Sequence, residues 1–107
     1  MKVSEFQRLI DDIYGAKDRA RGTATTFMWL AEEVGELSRA LRRQGREEIE
    51  GEFADVFAWL TTLASIHGVD LEAVARAKYG AGCPRCAATP CACSEPQPHP
   101  DARVAGG

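Results

Sequence analysis

The sequence predicts an all-α fold of about four helices, completed by oligomerisation and followed by a short C-terminal cysteine-rich segment. No proline interrupts the chain from Val3 to about Tyr79, and apolar residues in this stretch recur three and four positions apart, the spacing of one helix face. No run of residues carries a strand signal. The 107 residues are few for a self-sufficient helical core, so we expect several copies to share one.

The first two predicted helices cover about residues 4–21 and 23–44. Ser4 is expected to be the first N-cap, with Gln7 closing a capping box. Gly45 is expected to stop the second helix, because glycine commonly follows a helix end. The second helix carries an apolar stripe with the spacing of a packed helix, formed by Phe27, Leu30, Val34, Leu37 and Leu41.

A third helix is predicted over Arg46 to Ile66, and a short fourth helix from the N-cap Asp70 to Tyr79. These elements divide the chain into a helical domain (1–80), a cysteine-rich segment (81–93) and a tail (94–107). The prolines and low apolar content of the tail predict disorder. The third helix carries one apolar face, made by Ile49, Phe53, Val56, Phe57, Leu60, Leu63 and Ala64.

The composition excludes some classes of protein. A net charge of −3 gives no support to polynucleotide binding, which usually needs a strongly basic surface. The N-terminus lacks the apolar core of a secretory signal, and no run of apolar residues is long enough to span a membrane. We therefore expect a cytoplasmic protein without a membrane partner.

Two acidic motifs lie on consecutive predicted helices. Glu33 and Glu36 form one i,i+3 pair, and Glu52 and Asp55 form another, so each pair lies on one helix face. Like charges brought together in this way repel unless a cation lies between them. Mg²⁺ prefers carboxylate oxygens, and Mn²⁺ could replace it. Glu32 points away from the apolar stripe and ranks below the other four.

The chain's two tryptophans fall beside these carboxylates. At about 100° per residue, Trp29 shares a face with Glu33 and Glu36. Trp59 shares one with Glu52 and Asp55. An indole beside a phosphate-binding metal can stack on a nucleobase, so we expect both tryptophans to bind nucleotide. Two alternatives stay open: acidic residues on a helix often form a solvated face, and tryptophans often pack in a core or an interface.

The acidic motifs resemble those of the MazG-like all-α nucleoside triphosphate pyrophosphohydrolases, whose signature is EExxE followed by ExxD. The resemblance covers roughly residues 20–80. It implies that Mg²⁺ is bound, that a triphosphate is cleaved to the monophosphate and pyrophosphate by water, and that the chain forms a homodimer or homotetramer. The motifs are Glu32-Glu33-Val34-Gly35-Glu36 and Glu52-Phe53-Ala54-Asp55.

Carried over by position, the resemblance assigns roles to single residues. It implies that Mg²⁺ is bound by Glu33, Glu36, Glu52 and Asp55, and that Glu32 assists or orients the attacking water. Either Glu32 or Glu33 would accept a proton from that water.

Two basic residues are candidates for phosphate contact. Lys78 is the credible counterpart of a phosphate-contacting stretch in the family, from which Arg76-Ala77-Lys78-Tyr79-Gly80 otherwise departs. Arg43 lies nearest the Glu36 face, although arginines near a helix C-terminus also suit the helix dipole. We predict that both bind nucleotide.

All four cysteines fall between Cys83 and Cys93, as a CxxC pair with Cys86 and a CxC pair with Cys91. Four thiolates at this spacing suit tetrahedral Zn²⁺ with a structural role. A redox-active or reduced thiol cluster, and ligands shared between subunits, remain alternatives.

Two rival functions accompany the enzyme hypothesis. A di-iron carboxylate protein would need ExxH motifs, which are absent here, and neither His67 nor His99 stands at such a position. A non-catalytic, zinc-bearing oligomeric adaptor would turn over no nucleotide. The base of the substrate is left open between dUTP, dCTP, damaged nucleotides and a broad range.

Overall fold

The computed structural model describes residues 1–94, and these form four α-helices without a strand. The helices are α1 (Val3–Arg21), α2 (Thr23–Arg43), α3 (Arg46–Ile66) and α4 (Leu71–Tyr79). The predicted all-α fold is confirmed. The chain divides into two compact units, Met1–Arg76 and a second that starts at Ala77. From residue 95 on, the predicted tail lies outside the described residues.

Helix α1 begins earlier than the sequence suggested. Lys2 is the N-cap, and its backbone N–H donates to Oε1 of Glu5 at 3.2 Å. The capping box predicted for Ser4 and Gln7 is therefore wrong. Gln7 is buried and contacts the α3–α4 connection, where its Nε2 donates to the carbonyl oxygen of Val69 at 2.7 Å. A buried amide must find hydrogen-bond partners, and Gln7 finds them far along the chain.

Helices α1 and α2 are joined by Gly22 alone, whose φ of +82° lies in the region that favours glycine. Helices α2 and α3 are joined by Gln44 and Gly45. Gln44, and not Gly45, takes the left-handed conformation that ends α2, with a φ of +61°, while Gly45 is the N-cap of α3. The predicted cap at Asp70 is confirmed, since its Oδ1 accepts from the backbone N–H of Ala73 at 3.2 Å.

Helix α3 is the central element of the first unit, because it packs against both α1 and α2. The rings of Phe6 and Phe57 stack between α1 and α3 with centroids 4.9 Å apart. The core of the single chain is thin. Among the described residues, the buried hydrophobic side chains are Ile10, Ala40 and Ala64.

Much of the predicted apolar stripe stays exposed in one chain. Phe27 on α2 is 58% exposed and Phe53 on α3 is 55% exposed. Val34, Leu41 and Leu60 are also exposed. Such contiguous apolar surface is unusual for a monomer.

None of the helices in residues 1–94 combines the length and the apolar character that crossing a bilayer requires.

Candidate functional site

Three carboxylates meet between α2 and α3. One carboxylate oxygen each from Glu33, Glu52 and Asp55 lies within 4.8 Å of the others. The short Gln44–Gly45 link reverses the chain, so the EExxE segment of α2 lies against the ExxD segment of α3. Glu33 and Glu52 are half-buried, whereas Asp55 is exposed. We call these three residues the carboxylate cluster.

The carboxylate cluster has uncompensated negative charge. Oε2 of Glu52 is buried and has no hydrogen-bond partner among the described residues. Burial raises the pKa of the Glu33 carboxyl above its usual value of 4.5, and the neighbouring carboxyls of Glu52, Asp55 and Glu36 raise it further. An unpaired buried acceptor beside a destabilised carboxylate is an arrangement that a bound cation would stabilise. A hard, oxygen-rich donor set of this kind fits Mg²⁺ or Mn²⁺.

The other two glutamates of the first motif lie apart from the carboxylate cluster. Glu36 pairs with Arg39 at 3.6 Å and acts on Glu33 only through its charge. Glu32 is exposed. The structure thus brings together three of the four predicted Mg²⁺ ligands, with the fourth nearby on the same helix.

The two tryptophans contact each other across α2 and α3. Their ring centroids are 5.5 Å apart at an interplanar angle of 89°, an edge-to-face pair. The guanidinium of Arg21 lies 4.8 Å from the Trp29 ring centroid and 5.0 Å from that of Trp59. Both indoles therefore take part in cation–π contacts.

Arg21 is held by a buried carboxylate. Its Nη1 lies 2.9 Å from Oδ1 of Asp18, and the two side chains are only 16% and 7% exposed. The hydroxyl of Thr62 donates to the other oxygen of Asp18 at 3.1 Å, and Nη1 of Arg21 donates to Oγ1 of Thr26 at 3.4 Å. This network joins all three long helices and fixes the cation against the indoles.

Sequence reasoning missed Asp18 and Arg21. Helical periodicity gives no signal for Asp18, because at about 100° per residue it lies roughly 80° from Ile10 and roughly opposite Leu9. Only the packing of the three long helices shows that its side chain is buried.

A pocket of about 270 Å³ opens beside this network. Asp55 of the carboxylate cluster and Trp59 both contribute to its wall, so the candidate metal ligands and an aromatic surface share one cavity. Its lining is formed by Ile10, Tyr14, Asp18, Arg21, Asp55, Ala58, Trp59 and Thr62.

The two predicted phosphate contacts lie elsewhere. Arg43 is exposed in the last turn of α2, about 15 Å along the helix from Glu33 at 1.5 Å per residue. Lys78 belongs to the second unit, where its ammonium lies 5.7 Å from the ring centroid of Tyr79. For both residues, nucleotide binding stays a prediction.

The four cysteines meet in the second unit. One Sγ each from Cys83, Cys86, Cys91 and Cys93 lies within 4.8 Å of the others, and no disulfide joins them. Backbone N–H groups, chiefly that of Ala92, lower the pKa of Cys86 to about 6. Hydrogen bonds with the other thiols, with Cys91 first, raise the pKa of Cys93 to about 11.

The first unit is therefore an all-α domain. It has the carboxylate cluster between two antiparallel helices and, beside it, a pocket with Trp59 in its wall. The model of the MazG nucleotide pyrophosphohydrolase domain matches residues 21–86, more than half of the chain. The chain belongs to this family of nucleotide pyrophosphohydrolases, which confirms the resemblance inferred from the acidic motifs. Both motifs and both tryptophans lie within the matched residues. No curated protein matches the chain.

Proposed function

We propose that the protein hydrolyses a nucleoside triphosphate to the monophosphate and pyrophosphate at the carboxylate cluster, with Mg²⁺ as the cofactor. The observation that carries this proposal is the buried, unpartnered Oε2 of Glu52 between the carboxylates of Glu33 and Asp55, in a chain of the MazG family. Three carboxylates held this close repel one another, and a bound cation would relieve that repulsion as well as the further negative charge that a polyphosphate substrate brings.

Glu33, Glu52 and Asp55 would hold the ion, and Glu36, three residues after Glu33 on the same helix, would complete the set. When bound, Mg²⁺ neutralises polyphosphate charge and acidifies water at the site. Glu33, which lies inside the cluster, or Glu32, which is exposed beside it, takes the proton of the attacking water. No nucleophilic side chain is needed for this reaction.

The nucleoside would enter the pocket between Trp59 and Arg21. Asp55 lies in the pocket wall, so a nucleoside there would have its phosphates beside the carboxylate cluster. Because Arg21 already covers part of both indoles, the planar guanidinium and the free indole surface together offer the stacking face for a base. Asp18 acts indirectly, by holding Arg21 in position.

We further propose that two or more copies associate through the exposed apolar faces of α2 and α3. Phe27 at 58% and Phe53 at 55% exposure are costly to leave in water, at roughly 25 cal/mol for each Å² of apolar surface. A helical hairpin with so thin a core gains most of its burial from a second copy. The cytoplasmic location expected from the sequence stays a prediction.

The reaction is tested by incubating a panel of nucleoside triphosphates with the protein and Mg²⁺ in H₂¹⁸O, and following products by ³¹P NMR and mass spectrometry. We expect pyrophosphate and monophosphate with one ¹⁸O incorporated, and no inorganic phosphate. The Glu52→Gln protein should be inactive, whereas Glu47→Gln, an exposed glutamate in the first turn of α3, should behave as wild type.

Failure of a folded, oligomeric protein to hydrolyse any nucleotide would contradict the proposal. In that case the non-catalytic adaptor becomes the better hypothesis. Activity that survives Glu52→Gln would show that the reaction takes place elsewhere.

A further inference from the structure

The cysteines lie in a part of the chain that has no core of its own. None of the described residues from 77 to 94 is buried, yet the loop that carries the cysteines is closed by a backbone hydrogen bond from the N–H of Cys83 to the carbonyl oxygen of Ala88. Apolar burial cannot supply the free energy that orders such a segment. Another source of stability is needed, and four converging thiols are the outstanding feature of the loop.

We propose that Cys83, Cys86, Cys91 and Cys93 bind one Zn²⁺ ion in a tetrahedral thiolate site whose role is to fold this loop. The proposal does not depend on the pyrophosphohydrolase activity. It concerns residues that the proposed reaction does not use.

The sulfur spacing distinguishes a metal site from a disulfide. A tetrahedral ion with Zn–S bonds of about 2.3 Å holds its sulfurs about 3.8 Å apart, whereas disulfide-bonded sulfurs lie about 2.05 Å apart. Sγ of Cys83 and Sγ of Cys93 are 3.8 Å apart, and the whole set lies within 4.8 Å. One sulfur pair thus has the separation expected in a tetrahedral zinc site, and no two of the four sulfurs are farther apart than 4.8 Å.

The backbone of the loop is arranged to present these sulfurs. The N–H of Cys83 donates to the carbonyl oxygen of Ala88 at 3.1 Å, which closes the turn that carries the CxxC pair. The N–H of Ala92 donates to Sγ of Cys86 at 3.3 Å, and the N–H of Cys93 donates to Sγ of Cys91 at 3.4 Å. Zinc binding would displace the thiol protons and leave a site of net charge −2, which N–H donors to sulfur stabilise.

Gly82 makes this turn possible. Its φ is +108°, and a Cβ at this position would lie 2.8 Å from Oγ1 of Thr89 and 3.0 Å from the carbonyl oxygens of Ala87 and Ala88. The backbone on the far side of the loop thus packs directly on the glycine. This close approach brings the CxxC and CxC pairs to one place.

The test is the metal content of the full chain, purified under reducing conditions without added metal or chelator. Elemental analysis should find one zinc ion per chain, and a mercurial reagent should release it as the thiols are titrated. The Cys83→Ser/Cys86→Ser protein should contain none. Arg85→Ala, which changes the exposed residue between the same two ligands, should keep its zinc.

Cobalt substitution gives a readout that does not depend on a variant that folds. Co²⁺ added to the metal-free wild-type protein should produce thiolate-to-cobalt charge-transfer bands and the visible bands of a tetrahedral site, and one equivalent of Zn²⁺ should abolish them. Loss of zinc by the double variant with an unchanged circular dichroism spectrum of the helices would place the ion in the loop.

Three results would overturn the proposal. They are a protein without stoichiometric zinc that also fails to bind Co²⁺, iron in place of zinc in the purified protein, and disulfides between these cysteines under reducing conditions. None of these results bears on nucleotide hydrolysis, so failure here and failure of the proposed function are separately visible.

Discussion

The carboxylate cluster and the cysteine loop are assembled in opposite ways. Glu33 and Asp55 come from two long helices that pack through their own side chains, so their meeting does not require an ion. The cysteines come from one short loop in which none of the described residues is buried. The comparison shows that the helices assemble the first site without an ion, so the Mg²⁺ that we propose there can exchange, whereas the Zn²⁺ that we propose in the loop would be needed for its structure.

The largest expected effect is a difference in catalytic rate between a substitution in the carboxylate cluster and one in the cysteine loop. Asp55→Asn should lower the rate of pyrophosphate release by about 100-fold or more, because losing an ion that is worth several kcal/mol in the transition state costs at least this much. Cys86→Ser should leave the rate unchanged. Steady-state kinetics at saturating Mg²⁺ measures both.

If Cys86→Ser lost as much activity as Asp55→Asn while its helices stayed folded, the separation between a catalytic and a structural region would be wrong.

The next effect concerns the stability of the first unit alone. Arg21→Ala removes the partner of the buried Asp18 and the cation from between the tryptophans, so it should lower the free energy of unfolding by about 3 kcal/mol. Arg19→Ala breaks the exposed pair with Asp11 and should cost less than about 1 kcal/mol. Urea denaturation of the two variants at matched concentration provides the measurement.

Similar midpoints for Arg19→Ala and Arg21→Ala would mean that the buried network contributes little.

Replacing a glycine by alanine should lower stability in the cysteine loop and raise it in the first unit. Gly82→Ala forces a methyl group against the loop backbone at a positive φ and should cost about 1–3 kcal/mol locally, seen as weaker zinc retention against a competing chelator. Gly51→Ala adds a methyl group to helix α3 with nothing within 4 Å and should stabilise the first unit by about 0.5–1 kcal/mol. A stabilising Gly82→Ala would contradict the close packing of the loop.

The last prediction concerns the dependence of stability on pH. The native pKa of Glu33 is raised above 4.5, so the protonated carboxyl stabilises the fold below that value, and this stabilisation is lost as the pH rises through the native pKa. In magnesium-free buffer, Glu33→Gln should be the more stable protein at neutral pH. Two charges within 4.8 Å of each other repel by roughly 1 kcal/mol in water, and the substitution removes this repulsion for each pair that includes Glu33.

Thermal unfolding of wild type and Glu33→Gln at acidic and neutral pH checks this prediction. Added Mg²⁺ should reverse the order at neutral pH, because only the wild type has its full set of ligands. Equal pH dependence of the stability of the two proteins would show that the cluster does not destabilise the ionised form of Glu33.

The helices were predictable because their signals are local. The sequence predicted the observed limits of α3, Arg46–Ile66, and it predicted the end of α2 to within one residue. The caps were less predictable, since Gln7 is used by a contact with Val69 that lies far away in sequence. Likewise, Gly45 was expected to end α2, because glycine readily adopts the left-handed conformation, but Gln44 adopts it instead.

The candidate site divides in the same way. The i,i+3 spacing and the resemblance to MazG proteins predicted the carboxylates, and helical position predicted the tryptophans beside them. The roles of these residues stay predictions. Periodicity could not decide which carboxylates meet, because the rotation of α2 against α3 selects Glu33 and leaves Glu36 with Arg39. The Arg21 network requires three helices to be in place, so no local pattern reveals its partners.

The edge-to-face indole pair has a spectroscopic consequence. Trp29 and Trp59 are the only tryptophans of the chain, and both lie against the same guanidinium. All indole fluorescence therefore originates from Trp59 in the wall of the pocket and from Trp29 in contact with it, so emission excited in the indole band becomes an intrinsic and label-free reporter of ligand entry there.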